Sequence, residues 1–251
     1  MVKMLKGQKF IYCGDAGLGS ASIRIFNSRG GKAFIVTQSI KTLSEDLQED
    51  FLKDEGFKLV SSDENITIHE LKTFYKYDEN KKELYNDKAY KSILVDSNVD
   101  LGLYEEKICK NGKKRKVKSK AKLEQRIIVT YSRKKAEYQK NIRNKQIERA
   151  KVLISKGKDD IRKGPNDITR FFKNSKEEKN IYVLDEEKIA NEEKYDGFYA
   201  LVTNLLEDSV KDIVLINSQR YKIEDCFRIL KTNFDARPVY HRLDPRIVAH
   251  F

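Results

Sequence analysis

The apolar run Lys9-Phe10-Ile11-Tyr12-Cys13 stops abruptly at Gly14-Asp15-Ala16-Gly17, the pattern of a short buried strand followed by a turn. Asp15 is therefore expected just past the C-terminal end of a strand. A second apolar run, Ala33-Phe34-Ile35-Val36-Thr37, follows after residues 20–29, whose length suits a helix or half-helical connection. Strand, crossover and strand predict an α/β unit.

From residue 44 to residue 195 the pattern changes. Residues 45–57 can form a helix, after which short β-like pieces such as Lys58-Leu59-Val60 alternate with polar turns. Residues 125–130 read as a strand. Residues 132–156 read as a long, highly charged helix with a thin apolar stripe of Ala136, Ile142, Ile147, Ala150 and Ile154, stopped by Gly157 and Gly164-Pro165. Plain packing with a solvated face is the expected role of that helix. Asp196-Gly197 then introduces Phe198-Tyr199-Ala200-Leu201-Val202-Thr203, another strand, and residues 218–231 form the last clear helix before Pro238 and Pro245 break the pattern. The expected organisation is a core in two parts, residues 1–43 and 196–251, interrupted by a mixed α/β insertion over residues 44–195.

Charge adds a partner class to this outline. Lys and Arg number 51 against 39 Asp and Glu, a net charge of +12. Clustered cations gain affinity for nucleic acids by displacing counterions condensed on phosphates. The densest cluster spans residues 110–122, where Lys113, Lys114, Arg115, Lys116, Lys118, Lys120 and Lys122 surround a turn at Asn111-Gly112. A DNA-backbone contact and a merely solvated hairpin are its two readings. Cys13, Cys109 and Cys226 lie far apart without C-x-x-C spacing, which suits a reducing cytoplasm and argues against a structural zinc. No uncharged apolar run reaches the roughly 20 residues of a membrane helix, so no membrane partner is expected.

Candidate chemistry concentrates in the last helix. Arg220, Glu224 and Lys231 follow one another at spacings of 4 and 7, which at about 100° per residue puts them within roughly 40° of one another. Ile223, Phe227 and Leu230 fall on the adjacent sector and are expected to bury that side. A solvent-facing i,i+4 pair between Arg220 and Glu224 is the plain alternative.

The stretch from Asn217-Ser218-Gln219-Arg220-Tyr221 through Glu224 to Lys231 closely resembles the Y-x2-R-x3-E-x6-K signature of DDE transposases of bacterial insertion sequences, of the IS-four-like kind. Gly14-Asp15-Ala16-Gly17-Leu18 with Gly31-Lys32-Ala33-Phe34-Ile35-Val36 resembles the family's segment around its second catalytic Asp. Residues 195–204 and Arg237-Pro238-Val239-Tyr240-His241 are also similar to family segments. The resemblance implies an RNase H-like catalytic core, Asp15 and Glu224 as catalytic acids and ligands of a two-ion Mg²⁺ or Mn²⁺ site, and Arg220 and Lys231 as DNA contacts. It further implies transposon ends and target DNA as double-stranded partners, admits a homodimer, and expects a bacterial cytoplasmic protein, nucleoid-associated when DNA-bound. Two departures stand out. Asn217 occupies the signature Tyr position, with Tyr221 four residues away, and no Asp or Glu precedes Asp15, so the family's first acid has no counterpart. The implied protein is a transposase fragment, truncated at both ends, with little activity by itself. The competing readings are a non-catalytic DNA-binding regulator of a full-length transposase and an unrelated basic RNA-binding protein.

Overall fold

The computed structural model describes residues 10–74, 79, 82–108, 114–155, 168–174 and 182–232. The expected first unit is present: β1 (Ile11–Gly14), a 3-10 turn (Ala16–Leu18), α1 (Ala21–Asn27) and β2 (Ala33–Gln38), with β1 parallel to β2 from the Ile11↔Ala33 pair to Gly14↔Val36. A second 3-10 turn (Ile40–Thr42) leads to α2 (Glu45–Leu52). That helix ends before the expected residue 57: the backbone turns extended at Lys53, Gly56 takes a left-handed φ of 83°, and Phe57 starts β3 (Phe57–Leu59), buried on alternate positions as a strand requires. A two-residue β4 (Asn65–Ile66) precedes α3 (Ile68–Thr73), whose start carries a reciprocal capping box between Thr67 and Glu70. Next comes α4 (Lys82–Asn86).

The polar, weakly patterned stretch that follows holds the largest difference from the sequence-based expectation. It forms one long ribbon, β5 (Ala89–Ile108) and β6 (Lys114–Tyr131), in place of separate short strands. The strands satisfy each other's backbone by cross-strand pairing. On the outer part of β6, Lys116, Lys118, Lys120 and Lys122 alternate with Val117, Ser119 and Ala121. That weak apolar pattern leaves a hairpin around Asn111-Gly112 as one of two readings and only residues 125–130 as a strand. α5 (Arg133–Ser155) follows as expected, and of its predicted stripe Ala136 and Ala150 are buried while Ile142 is exposed. A 3-10 turn (Ile168–Phe171), β7 (Phe172–Asn174), β8 (Tyr182–Leu184), α6 (Glu186–Glu193) and β9 (Phe198–Thr203) complete this part, with β7 and β8 forming a small antiparallel sheet of their own.

The protein is mixed α/β, and its main sheet has seven strands in the order β1-β2-β9-β6-β5-β3-β4. Strand β9 lies antiparallel between β2 and β6. Strands from either side of the expected boundaries at residues 43 and 195 therefore share one sheet. Phe198, Ala200 and Val202 of β9 line up with Phe34 and Val36 of β2 and with Ile127, Val129 and Tyr131 of β6 in one apolar cluster, which Phe51, Phe57 and Leu71 join. Ile35, Ile128 and Leu201, one position out of step, are also buried. A strand buried on both faces reads as the continuous apolar run seen in the sequence. At the end of β9, Asn204 Oδ1 accepts the Phe34 N–H at 2.8 Å, supplying a partner for a backbone group of β2.

Two compact units divide the chain, Met1–Val210 and Lys211–Phe251. The second begins within α7 (Val210–Ser218) and continues into α8 (Arg220–Thr232). The single helix expected over residues 218–231 is thus preceded by a separate helix, with Gln219 between them. Among the described residues no helix is long and apolar enough to cross a membrane.

Candidate functional site

Asp15 stands directly after β1, at the C-terminal edge of a parallel strand pair, the position where open α/β sheets present functional groups. Its backbone is extended and its Oδ1 accepts the Leu18 N–H at 2.9 Å, capping the short 3-10 turn. Gly19 ends that turn hard against Val36 of β2, and a side chain there would overlap Val36 Cγ1. Behind the turn, the half-buried Arg24 donates from Nε to Gly19 O at 2.8 Å and from its other nitrogens to Gln125 Oε1 and Gln38 Oε1. Burial lowers the Arg24 pKa. The Asp15 turn is therefore held by the sheet from two directions.

A cap and a metal ligand make different demands on the same carboxylate. Asp15→Ala is expected to cost about 0.5–2 kcal/mol, the usual loss of a capping side chain. Asp15→Asn, which keeps the accepting oxygen, should retain wild-type stability in urea denaturation. Equal losses in the two variants would show that the charge, and not the cap, is what the fold uses.

In the second unit, α8 carries the helical triad of the sequence motif. Arg220 Nη2 lies 4.0 Å from Glu224 Oε1, and the Glu224 side chain is 73% exposed. Lys231 follows in the last turn. The i,i+4 pair is thus realised with Glu224 in solvent and Arg220 largely covered, at a distance that contributes little. The expected burial of the neighbouring sector is corrected: Ile223 is 59% exposed, Phe227 59% and Leu230 46%. An amphipathic pattern specifies which face is apolar, but burying it requires a partner surface, and α8 buries none of its residues.

The basic cluster lies on β6 near the outer end of the ribbon. Lys114, Arg115 and Lys116 are exposed and stand opposite Ile108, Lys107 and Glu106 of β5. Lys118 lies in β6 opposite Tyr104, beside an irregularity that interrupts the β5 register between Asp100 and Tyr104. Lys113 and the Asn111-Gly112 turn fall outside the described residues, as do Cys109 and residues 237–241. Among the described residues, β6 pairs with β9 only over Arg126–Tyr131 and β5 with β3 only at Ala89 and Tyr90. From the Val95↔Gln125 pair to Ile108↔Lys114 the two strands pair only with each other. At about 3.3 Å per residue this two-stranded part of the ribbon is roughly 35 Å long, its inner end still packed in the core through Leu123 and Val95.

No family model, curated protein or solved structure matches this chain.

Residues that the sequence pattern did not single out form the best-built polar cluster. Arg143 of α5, only 5% exposed, donates from Nη1 to Asp196 Oδ1 at 2.7 Å and from Nη2 to Glu193 Oε1 at 2.9 Å. One helical turn earlier, Gln139 Oε1 accepts the Gly197 N–H at 2.7 Å. On the same side, Arg170 Nε meets Glu192 Oε1 at 3.2 Å. The only advance sign of this cluster was the Asp196-Gly197 pair, which reads equally well as an ordinary turn.

Proposed function

We propose that this chain carries part of the RNase H-like core of a DDE transposase of the IS-four-like kind and binds double-stranded DNA. The observation that carries the reading is where its two acids stand. Asp15 follows a strand paired in parallel with the next, and Glu224 lies on a late helix with Arg220 one turn before it and Lys231 two turns after it. Both are hard oxygen donors of the kind that Mg²⁺ or Mn²⁺ prefers. When bound, a pair of such ions activates the attacking oxygen and stabilises the leaving one during in-line displacement on DNA. Arg220 and Lys231 would hold the phosphates that flank the reacting one, the first as a planar fork and the second as a point charge.

The ribbon supports the DNA part of the reading. A two-stranded β ribbon fits the major groove of B-form DNA, and Lys114, Arg115 and Lys116 give this one a cationic outer end. With two acids in place of three, little strand cleavage is expected from these 251 residues alone, so duplex binding is the direct test.

In a salt titration with a mixed-sequence duplex, the combined variant Lys114→Gln, Arg115→Gln, Lys116→Gln should lower the slope of log affinity against log salt by about 2–3, because each neutralised phosphate contact contributes close to one. Glu224→Gln should leave that slope unchanged. A wild-type slope in the triple variant, or single-stranded RNA outcompeting the duplex, would remove the DNA reading. Mg²⁺-dependent cleavage of a transposon end that disappears in Glu224→Ala would overturn the expected low activity.

A further inference from the structure

We propose that a cleft beside the C-terminal ends of β1 and β2 is a binding site for a phosphate group, held by Lys41 and Lys135. The cleft encloses about 430 Å³ and is walled by Ala16 after β1, by residues 37–41 at the end of β2, by α5 and by the start of β9. All of its residues belong to the first compact unit, and none is an acid or ribbon cation of the transposase reading, so the two stand or fall separately.

Its charge balance is one-sided. Four cations, Lys41, Lys135, Arg143 and Arg170, line it with two acids, Glu192 and Asp196. Asp196 is taken by Arg143 and Glu192 by Arg170. Among the described residues neither lysine has a carboxylate ion-pair partner. Each lies over an aromatic face: Lys135 Nζ is 3.9 Å from the Tyr199 ring centroid and Lys41 Nζ is 4.9 Å from that of Tyr195.

Both rings are pinned. The Tyr199 hydroxyl shares a 2.7 Å hydrogen bond with Thr37 Oγ1, and the Tyr195 hydroxyl donates to Gln48 Oε1 at 2.8 Å. The ammonium groups therefore rest on a prepared surface. Burial, with repulsion from Lys88 as a smaller cause, lowers the Lys135 pKa from 10.5 to about 8. An ammonium held out of water in this way gains more from a bound anion than a solvated one does. The cleft exceeds the size of a lone phosphate, so by volume it also admits a phosphate carried on a larger molecule such as a nucleotide.

Calorimetric titration of the chain with inorganic phosphate, thymidine monophosphate and a short single-stranded oligothymidylate tests the site. Saturable binding is expected, weakened roughly tenfold or more by Lys135→Gln and by Lys41→Gln, as for loss of a charge-assisted contact. Lys134→Gln, on the exposed side of α5, should bind as wild type. Equal affinity for all three probes identifies a free phosphate group as the ligand. A clear gain for the oligonucleotide identifies a nucleic-acid strand. Lys41 is exposed, so its variant tests the site even if Lys135→Gln fails to fold. No saturation with any probe, or wild-type affinity in the lysine variants, would overturn the proposal.

Discussion

Replacing Gly197 with alanine is expected to destabilise the protein by about 2–5 kcal/mol, through backbone strain and overpacking together. Gly197 has a φ of 84°, a conformation that costs an L-residue on the order of 1–2 kcal/mol. The added methyl would also stand 2.6 Å from Tyr131 Cε2, 2.8 Å from Ala136 Cβ and 2.9 Å from Ser132 O. Two of these neighbours cannot give way cheaply, since one is backbone and the other belongs to α5. Tyr131 is fully buried and packs edge-on against Phe198 with ring centroids 5.0 Å apart, so its ring has no free direction either. Relief by backbone movement would stretch the Ser132 N–H to Gly197 O bond of 3.1 Å and the 2.7 Å bond from Gly197 N–H to Gln139. Urea denaturation monitored by circular dichroism measures the loss. A change below about 1 kcal/mol would mean that the turn relaxes freely.

Arg143→Met should be almost as costly, about 3–5 kcal/mol, the usual result of removing one partner from a buried ion pair. The cause is less the lost attraction than what remains, because Asp196 keeps its charge in a site 18% exposed with no guanidinium to face. Glu193 is half exposed and can turn to water, so Asp196 carries most of the penalty. The double variant Arg143→Met, Asp196→Asn should therefore recover part of the loss, with a coupling energy on the order of 1–3 kcal/mol in a double-mutant cycle. Strict additivity of the two single changes would show that the pair is not energetically linked. Both predictions concern one junction, where α5 is tied to the start of β9 beside the lysine-lined cleft, so lesions there should also disturb anion binding.

Much of the candidate site could be read in advance, though unevenly. Asp15 was recognisable because an abrupt change from β-rich apolar residues to Gly-Asp-Ala-Gly marks a strand end locally. Helical periodicity puts Arg220, Glu224 and Lys231 on one stripe, but a plain i,i+4 pair fits that spacing equally well, and only the resemblance to the transposase signature singles the three out. What the spacing could not decide was whether Ile223, Phe227 and Leu230 meet a partner surface, and in the structure they are exposed. The cleft cations were invisible for another reason. Lys41, Lys135, Arg143 and Arg170 come from separate segments, and in a chain with 51 Lys and Arg no local pattern distinguishes those four.

The sequence by itself determined the strands near residues 11–14, 33–38 and 198–203 and the long helix α5, because each is a short-range matter of apolar period and turn residues. Only the tertiary structure decided that β9 lies between β2 and β6, joining strands of the expected insertion to those of the flanking segments in one sheet. Strand neighbours are chosen by side-chain fit and backbone hydrogen bonding between segments far apart in the chain, and apolar runs as similar as those of β2, β6 and β9 carry no label saying which pairs with which. The same holds for the long ribbon, whose outer pairs are held by cross-strand hydrogen bonds between segments that no local pattern assigns to each other.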